Sequence, residues 1–318
     1  MYLHKRRLFV CLSFVFGIVA ALLSSSCVFA ARASGRDYAQ AREQGELDEG
    51  AGAAVAVADL PADIRIIRDV AYGADGHQKF DVYAPKQARN APVIVMVHGG
   101  GWAFGDRNMA RVVTNKVKHF LPQGYIFVSI DYRLLPSTAV AEQARDVARA
   151  VAAIEQRAPD WGGDPGKITL MGHSAGAHLV ALLTASPTLA TAAGVKPWRG
   201  SVLLDSAAFD VAAIMRGRHF PLYDRAFGSD PAQWNAVSPL SALSGPIVPV
   251  FAVCSSRRRE SCGQAQAFAD KAKGFGSRVI VQREDRSHGE INFELGEPGA
   301  YTDAVDGFLR SIGAAPAR

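Results

Sequence analysis

The chain has 318 residues, of which 49% are hydrophobic and 20% are charged, and this composition excludes a largely disordered protein. Glycine accounts for 30 residues without a strict triplet period, which excludes a collagen-like chain. The formal net charge is only +5 and no basic stripe is present, so we expect no nucleic-acid partner.

The N-terminal region has the pattern of an export signal. Three basic residues at positions 5–7 precede an apolar run at 8–23, which is short for a membrane span. The sequence Val-Phe-Ala at 28–30 then predicts cleavage by signal peptidase. We therefore expect a signal peptide over residues 1–30 and a mature protein that is periplasmic or secreted. Two alternatives stay open, which are a lipoprotein anchored through Cys27 and an uncleaved membrane anchor.

The remaining chain alternates between predicted strands and helices. Residues 31–62 are rich in alanine, glycine and charge and predict a flexible linker, so the folded domain covers residues 63–318. About eight apolar segments predict strands, at 66–72, 79–83, 93–97, 125–130, 168–171, 201–204, 247–253 and 278–281. Helical periodicity between several of these segments predicts an α/β fold with a mostly parallel, mixed sheet and helices on both faces.

One long segment interrupts this alternation. Residues 206–245 lie between the sixth and seventh predicted strands, and a structureless loop of that length would be unusual. We interpret the segment as a small helical insertion that covers the active site as a lid. A helical excursion that packs on the sheet without touching substrate is the alternative.

Two glycine-containing motifs follow predicted strands. The pentapeptide Gly-His-Ser-Ala-Gly at 172–176 opens a predicted helix, and in that context it is typical of a nucleophilic serine, here Ser174. The segment His-Gly-Gly-Gly-Trp at 98–102 favours backbone N–H groups that face an anion. We expect an oxyanion hole formed by the N–H groups of Gly100, Gly101 and Ala175. A phosphate-binding loop fits less well, because the P-loop ending and the G-x-G-x-x-G spacing are absent.

A nucleophilic serine needs a general base. Three histidines follow Ser174 in the chain, and His288 comes after the last central strand, where a loop can reach the serine. We expect His288 to be the base, and we expect His178 and His219 to be structural or to face substrate.

The acid that orients the base is harder to assign. Glu260 is the only carboxylate between Asp230 and Asp270, in the region after the strand at 247–253, and it is our first candidate. Asp205, at the end of the preceding strand, is the second. Asp210 and Asp285 are further alternatives.

The acid loop is flanked by two cysteines. Cys254 and Cys262 would remain after removal of the signal peptide, and an even pair in an oxidising compartment predicts a disulfide. Two free thiols are the alternative. The basic triplet at 257–259 between them is interpreted as a solvated loop.

Several motifs together resemble one family. They are His98–Trp102, Asp131-Tyr132-Arg133-Leu134, Gly163-Asp164-Pro165, Gly172–Gly176 and Ser287-His288-Gly289, and they extend over residues 64–312. The chain resembles the α/β-hydrolases, and more narrowly the bacterial esterases and lipases related to hormone-sensitive lipase and to feruloyl-esterase-like enzymes. The family's Gly-x-x-Asp pattern is missing at the acid loop, and long N-terminal cap helices are absent, which favours the feruloyl-esterase-like branch.

The resemblance implies a secreted serine hydrolase that cleaves small-molecule carboxylic esters without a metal or organic cofactor. We expect Trp102, Phe209 and Tyr223 to contact the substrate, since the predicted insertion is rich in aromatic residues. An amidase of the same fold, such as an arylformamidase, is one alternative. A catalytically silent hydrolase fold that only binds its ligand is another. Membrane contact is expected only if the chain is anchored at its N-terminus.

Overall fold

The computed structural model describes residues 53–316, and its centre is a single eight-stranded sheet. The strand order is β1-β2-β4-β3-β5-β6-β7-β8, and only the pairs β1–β2 and β2–β4 are antiparallel. The strands are β1 Ile64–Ala71, β2 Lys79–Pro85, β3 Ala91–Val97, β4 Ile126–Ile130, β5 Gly163–His173, β6 Gly200–Leu204, β7 Val250–Ser255 and β8 Val279–Glu284. The predicted mostly parallel, mixed sheet is confirmed.

Helices cover both faces of this sheet. They are α1 Ala110–Phe120, α2 Val140–Arg157, α3 Ala175–Ala185, α4 Pro187–Ala192, α5 Val211–Arg216, α6 Pro221–Phe227, α7 Pro231–Ala236, α8 Pro239–Ala242, α9 Ser261–Gly274, α10 His288–Phe293 and α11 Ala300–Ser311. Two short 3-10 helices lie at Val57–Asp59 and Ala158–Trp161. Within residues 53–316 no helix is long and apolar enough to cross a membrane.

Strand β3 illustrates why the sheet is covered on both sides. All seven of its residues are buried. Val95 and Val97 belong to a core cluster that includes α2 and α3, whereas Ile94 and Met96 belong to a second cluster that includes α1 and α11. Because side chains alternate between the two faces of a strand, a continuous apolar run is the pattern of a strand buried on both faces.

The described part of the predicted linker packs on the domain. The N–H of Val55 donates to the carbonyl of Asn108 at 2.7 Å, and the side chains of Val55 and Leu60 are buried. Residues 53–62 therefore belong to the folded domain and not to a free linker, because two apolar side chains there are removed from water. The predicted signal peptide and the rest of the predicted linker lie outside the described residues.

The segment between β6 and β7 forms the predicted helical insertion. It contains the four short helices α5 to α8, of which α8 packs against α3 and α9. Hydrogen bonds attach it to α9: the N–H of Asp210 donates to the side-chain oxygen of Gln264 at 2.6 Å, and Lys271 donates to the carbonyl of Leu240 at 2.6 Å. Leu222 and Tyr223 of the insertion line a pocket together with Ser174, so this segment lies beside the candidate site.

Candidate functional site

Ser174 lies at a sharp turn between β5 and α3. Its backbone has φ 55° and ψ −119°, a conformation that costs a non-glycine residue of order 1–3 kcal/mol. The flanking glycines make this turn sterically accessible: a Cβ on Gly172 would lie 2.5 Å from the carbonyl oxygen of Gly176, and one on Gly176 would lie 2.2 Å from that of Val97. The N–H of Ser174 donates to the carbonyl of Leu204 at 2.9 Å, which ties the turn to the neighbouring strand β6.

The glycine loop after β3 lies directly against this turn. A Cβ on Gly99 would lie 3.0 Å from the Cβ of Ser174, and one on Gly100 would lie 2.2 Å from the carbonyl oxygen of Phe104. Gly100 and Gly101 both have positive φ, at 116° and 59°. Within the described chain neither of their N–H groups donates to a backbone carbonyl, so both are available to a ligand. Ala175, as the first residue of α3, likewise has no acceptor within its helix.

A buried cluster of charged and polar side chains supports the glycine loop. The Nδ1 of His98 lies 2.7 Å from the carbonyl oxygen of Gly99, and its ring stacks on Tyr132. The Nε2 of His98 is 3.5 Å from Asp131, whose carboxylate also accepts from the backbone N–H of Arg107 at 2.6 Å and from the guanidinium of that residue. Burial by itself would raise the pKa of Asp131, but its bonds to His98 and the charge of Arg107 hold that pKa below its ordinary value. His98 is therefore a support of the loop.

Trp102 connects the glycine loop to the helical insertion. Its indole Nε1 donates to the Nδ1 of His178 at 3.2 Å, and the Nε2 of His178 donates to the carbonyl of Val237 at 2.7 Å. The indole ring also packs against Tyr223 and Phe227, with ring centroids 6.0 and 4.9 Å apart. Burial lowers the pKa of His178 to about 4, because the apolar surroundings disfavour its charged form. His178 is thus a neutral link between two parts of the site.

The structure brings His288 and Asp205 together at the carboxyl end of the sheet, where Asp205 follows β6 and His288 comes after β8, on the two sides of β7. The Nδ1 of His288, the first residue of α10, lies 2.7 Å from Oδ2 of Asp205, which follows β6. Both side chains are buried, and the His173 ring lies 4.4 Å from that of His288. The Nε2 of His288 has no hydrogen-bond partner among residues 53–316. This is the arrangement of an imidazole oriented by a carboxylate with its second nitrogen available.

Asp205 is held by four groups. Its Oδ1 accepts from the N–H of Ser255 at 2.7 Å and from the hydroxyl of Ser261, and its Oδ2 accepts from Arg258 at 2.8 Å as well as contacting His288. Burial by itself would raise the pKa of this carboxyl. The charge of Arg258, followed by the bonds to His288 and Ser261, holds it far below its ordinary value. Asp205 is therefore an ionised carboxylate in a buried position.

Glu260, the first candidate from the sequence, is not at this position. Its side chain is exposed and lines the larger pocket under the insertion, whereas Asp205 contacts His288, so Asp205 replaces it as the candidate acid. Cys254 and Cys262 are joined in a disulfide, with Cα atoms 5.0 Å apart, and the closed loop directs Ser261 toward Asp205 while Glu260 faces outward. Charge and position in the chain alone do not distinguish these orientations.

The other two candidate acids are also used elsewhere. Asp210 accepts from the N–H of Ala213 at the start of α5, and Asp285 pairs with exposed Arg257 at 2.8 Å. One sequence signal did favour Asp205, which directly ends the apolar strand β6. Parallel strands in α/β sheets expose ligand-binding residues at their carboxyl ends, and β6 is the immediate neighbour of the strand that ends at Ser174.

Two connected pockets lie beside Ser174. A small one is lined by Ser174 together with Trp102, Tyr223 and Arg258, and a larger one of about 290 Å³ lies under the insertion. They share Ala207 and Tyr223. The larger pocket mixes apolar and polar walls, formed by Ile214, Phe220, Arg218, His219 and Gln264 among others.

Two of the three residues that we expected to contact substrate line these pockets, and one does not. Trp102 and Tyr223 line these pockets, whereas Phe209 lies in neither of them. Phe209 is 1% exposed and stacks on Phe268 with ring centroids 5.4 Å apart, so it is a core residue. Some aromatic residues of the insertion thus line a pocket, and others fill the core. In the described part of the chain, no group of three or more His, Cys, Asp and Glu side chains is arranged to hold a metal ion.

Comparisons with known proteins agree with this fold. Residues 80–209 match the BD-FAE family. Esterase LipQ of Mycobacterium tuberculosis is 30% identical over 234 residues, which are 68% of this chain and 55% of LipQ. The probable isoprenylcysteine alpha-carbonyl methylesterase ICME of rice, Oryza sativa, is 30% identical over 118 residues, which are 37% of this chain and 28% of ICME. The chain thus spans about half of LipQ and less of ICME.

Solved structures give the same fold over most of the chain. Esterase B of Lactobacillus rhamnosis is 22% identical and superimposes with a TM-score of 0.65, covering 93% of this chain and 95% of its own. Thermogutta terrifontis esterase 2, in a form phosphonylated by sarin, is also 22% identical and gives a TM-score of 0.67, covering 83% of this chain and 100% of its own. From the fold and these matches together, the chain belongs to the α/β-hydrolase esterase and lipase family.

Proposed function

We propose that the protein is a serine hydrolase that cleaves small-molecule carboxylic esters, with Ser174 as nucleophile, His288 as base and Asp205 as the acid. The observation that carries the proposal is the buried Asp205–His288 pair, 2.7 Å apart, beside the strained turn that presents Ser174. Family membership supports ester hydrolysis, and relatives named as esterases support the substrate class.

In the proposed mechanism, His288 takes the proton of the Ser174 hydroxyl as the serine attacks the ester carbonyl. The tetrahedral intermediate is negatively charged at the former carbonyl oxygen. The N–H groups of Gly100, Gly101 and Ala175 stabilise this oxygen, and one such donor typically contributes about 3–4 kcal/mol.

The second half of the reaction uses the same groups. His288 protonates the leaving alcohol, and a water molecule activated by His288 then hydrolyses the acyl-enzyme and regenerates the Ser174 hydroxyl. Asp205 stays ionised throughout, because its contacts favour the anion, and it stabilises the imidazolium that forms at each step.

The proposal includes export from the cytoplasm. The basic residues at 5–7 and the apolar run at 8–23 support a signal peptide. The disulfide between Cys254 and Cys262 is consistent with an oxidising compartment. The mass of the protein purified from the periplasm or medium tests this part, with a mature N-terminus at Ala31 expected and an unprocessed chain contradicting it.

The central test is labelling of Ser174 by a fluorophosphonate, followed by intact mass spectrometry. We expect one adduct on the wild-type protein, none on Ser174→Ala, and hydrolysis of short acyl esters by the wild type alone. Loss of ester hydrolysis in Ser174→Ala should exceed about 10³-fold. Hydrolysis of anilides in preference to matched esters would instead identify an amidase, and absence of both labelling and turnover would refute a catalytic Ser174.

A further inference from the structure

The arginine triplet at 257–259 does not behave as one exposed patch. Arg257 and Arg259 are exposed, whereas the side chain of Arg258 is only 6% exposed. An arginine is rarely buried unless it is paired, since removing its charge from water is costly. The contacts of Arg258 therefore indicate why it is buried there.

The guanidinium of Arg258 contacts both the candidate base and the candidate acid. Its Nη1 donates to Oδ2 of Asp205 at 2.8 Å and to the backbone carbonyl of the same residue at 3.0 Å. The same nitrogen is 3.1 Å from Nδ1 of His288. Arg258 also lines the small pocket that contains Ser174. A single cation thus contacts both members of the pair and also borders the pocket that contains Ser174.

The loop around Arg258 fixes this placement from both ends. Ser255, at the end of β7, donates its N–H to Asp205, and Ser261, at the start of α9, donates its hydroxyl to the same carboxylate. The Cys254–Cys262 disulfide closes the loop over a separation of 8 residues. Residues at both ends of the loop and in its middle therefore bind the same carboxylate, that of Asp205.

The charges at this centre have a simple balance. With His288 neutral, the Asp205 carboxylate and the Arg258 guanidinium compensate each other. Any further positive charge at this centre would be buried beside the guanidinium, which is electrostatically unfavourable. His173 at the end of β5 also packs against the imidazole, with its ring 4.4 Å away. Farther out, Arg286 is already paired with Glu284 and Glu294.

We propose that Arg258 is a positioning residue of the candidate triad, which fixes the Asp205 carboxylate and holds a positive charge against the His288 imidazole. This inference rests on the proposed function, because it assigns a role within that triad. Arg258 makes no bond to the substrate in this role. It acts through the two side chains that it touches, so its loss should change the rate and its pH dependence more than substrate binding.

The test compares Arg258→Met and Arg258→Lys with Arg259→Met, which removes a neighbouring exposed arginine as a matched control. For a short acyl ester, Arg258→Met should lower kcat about 10- to 100-fold, the loss typical of a removed hydrogen bond to a charged group, with KM within about twofold. The acidic limb of its kcat/KM profile should move about one pH unit upward, because a cation next to the imidazole is gone. Arg258→Lys retains the charge and should keep the limb near its wild-type position.

A second measurement does not depend on turnover. The proton on Nδ1 of His288 should give a downfield NMR signal, identified by its loss in His288→Gln, and its pH titration should move upward in Arg258→Met relative to the wild type. That shift in a protein without esterase activity would support the inference while the proposed function failed. If Arg258→Met left this titration unchanged and had the same kinetics as Arg259→Met, the inference would be overturned. The esterase proposal would stay intact.

Discussion

The two halves of the candidate site are held in place by different means. The nucleophile half consists of the Ser174 turn and the glycine loop, and backbone packing fixes it: glycines at 172 and 176 allow contacts that a Cβ would prevent. The acid half consists of Asp205, His288 and the loop around Arg258, and side-chain hydrogen bonds between distant parts of the chain fix it. The residues of the nucleophile half lie in two short sequence motifs. Those of the acid half are up to 83 positions apart in the chain.

This difference explains which substitutions each half tolerates. Backbone geometry at the nucleophile turn depends on small side chains within a few residues, so any larger residue there is excluded sterically. The acid half depends on charge and hydrogen bonding, and a neutral isostere can preserve its shape while removing its electrostatic effect. Experiments on the acid half can therefore separate geometry from charge.

The largest expected effect is at the acid position. Asp205→Asn should lower kcat by about 10³- to 10⁴-fold, since the amide leaves His288 without its anionic partner and favours the wrong tautomer. Glu260→Gln, the matched change at the exposed carboxylate of the larger pocket, should leave kcat within about twofold, because Asp205 and not Glu260 is bonded to His288, and any effect should fall on KM. Steady-state kinetics with one ester decide between them, and a severe loss in Glu260→Gln with a mild one in Asp205→Asn would reverse the assignment.

A smaller effect is expected on the nucleophile side, through the stability of the protein at low pH. His178 links Trp102 to the insertion as a neutral imidazole, and its pKa is lowered to about 4 by burial. Below pH 6.5 the unfolded chain takes up this proton and the folded protein does not. The free energy of unfolding therefore falls by about 3 kcal/mol from this residue between pH 6.5 and 4, and the contribution is complete above pH 6.5.

Urea denaturation at several pH values measures this contribution. His178→Gln should show a shallower loss of stability between pH 6.5 and 4 than the wild type, whatever its stability at neutral pH. His77→Gln, at an exposed histidine, serves as the control and should keep the wild-type slope. An identical slope in His178→Gln and the wild type would mean that His178 is not held neutral.

The smallest expected effect is that of the disulfide. Replacing Cys254 and Cys262 together by serine should lower the free energy of unfolding by roughly 2–3 kcal/mol, the chain-entropy estimate for so short a loop. Because Ser255, Arg258 and Ser261 still reach Asp205, kcat should fall far less than in Asp205→Asn. Thermal and urea denaturation with and without reductant measure the stability. A reductant that weakens the double-serine protein as much as the wild type would contradict this role.

The sequence by itself determined the sheet and the nucleophile half. Apolar runs such as β3 specify strands buried on both faces, and the glycines around Ser174 mark a tight turn that leaves room for the backbone of β3. His288 could be proposed from its place after the last central strand. Phe209 and Tyr223 could not be separated by sequence, because both are aromatic residues of one insertion and only packing makes one a core residue.

Only the tertiary structure decided which carboxylate contacts His288 and which arginine pairs with that carboxylate. Glu260 and Asp205 carry the same charge, and both are near strand ends, so the choice depends on how a closed loop of the chain turns its side chains. The same turn buries Arg258 between two exposed arginines, where it compensates Asp205. Local patterns do not encode such orientations, since the free energy that selects them comes from pairing charges that are distant in the sequence and close in the fold.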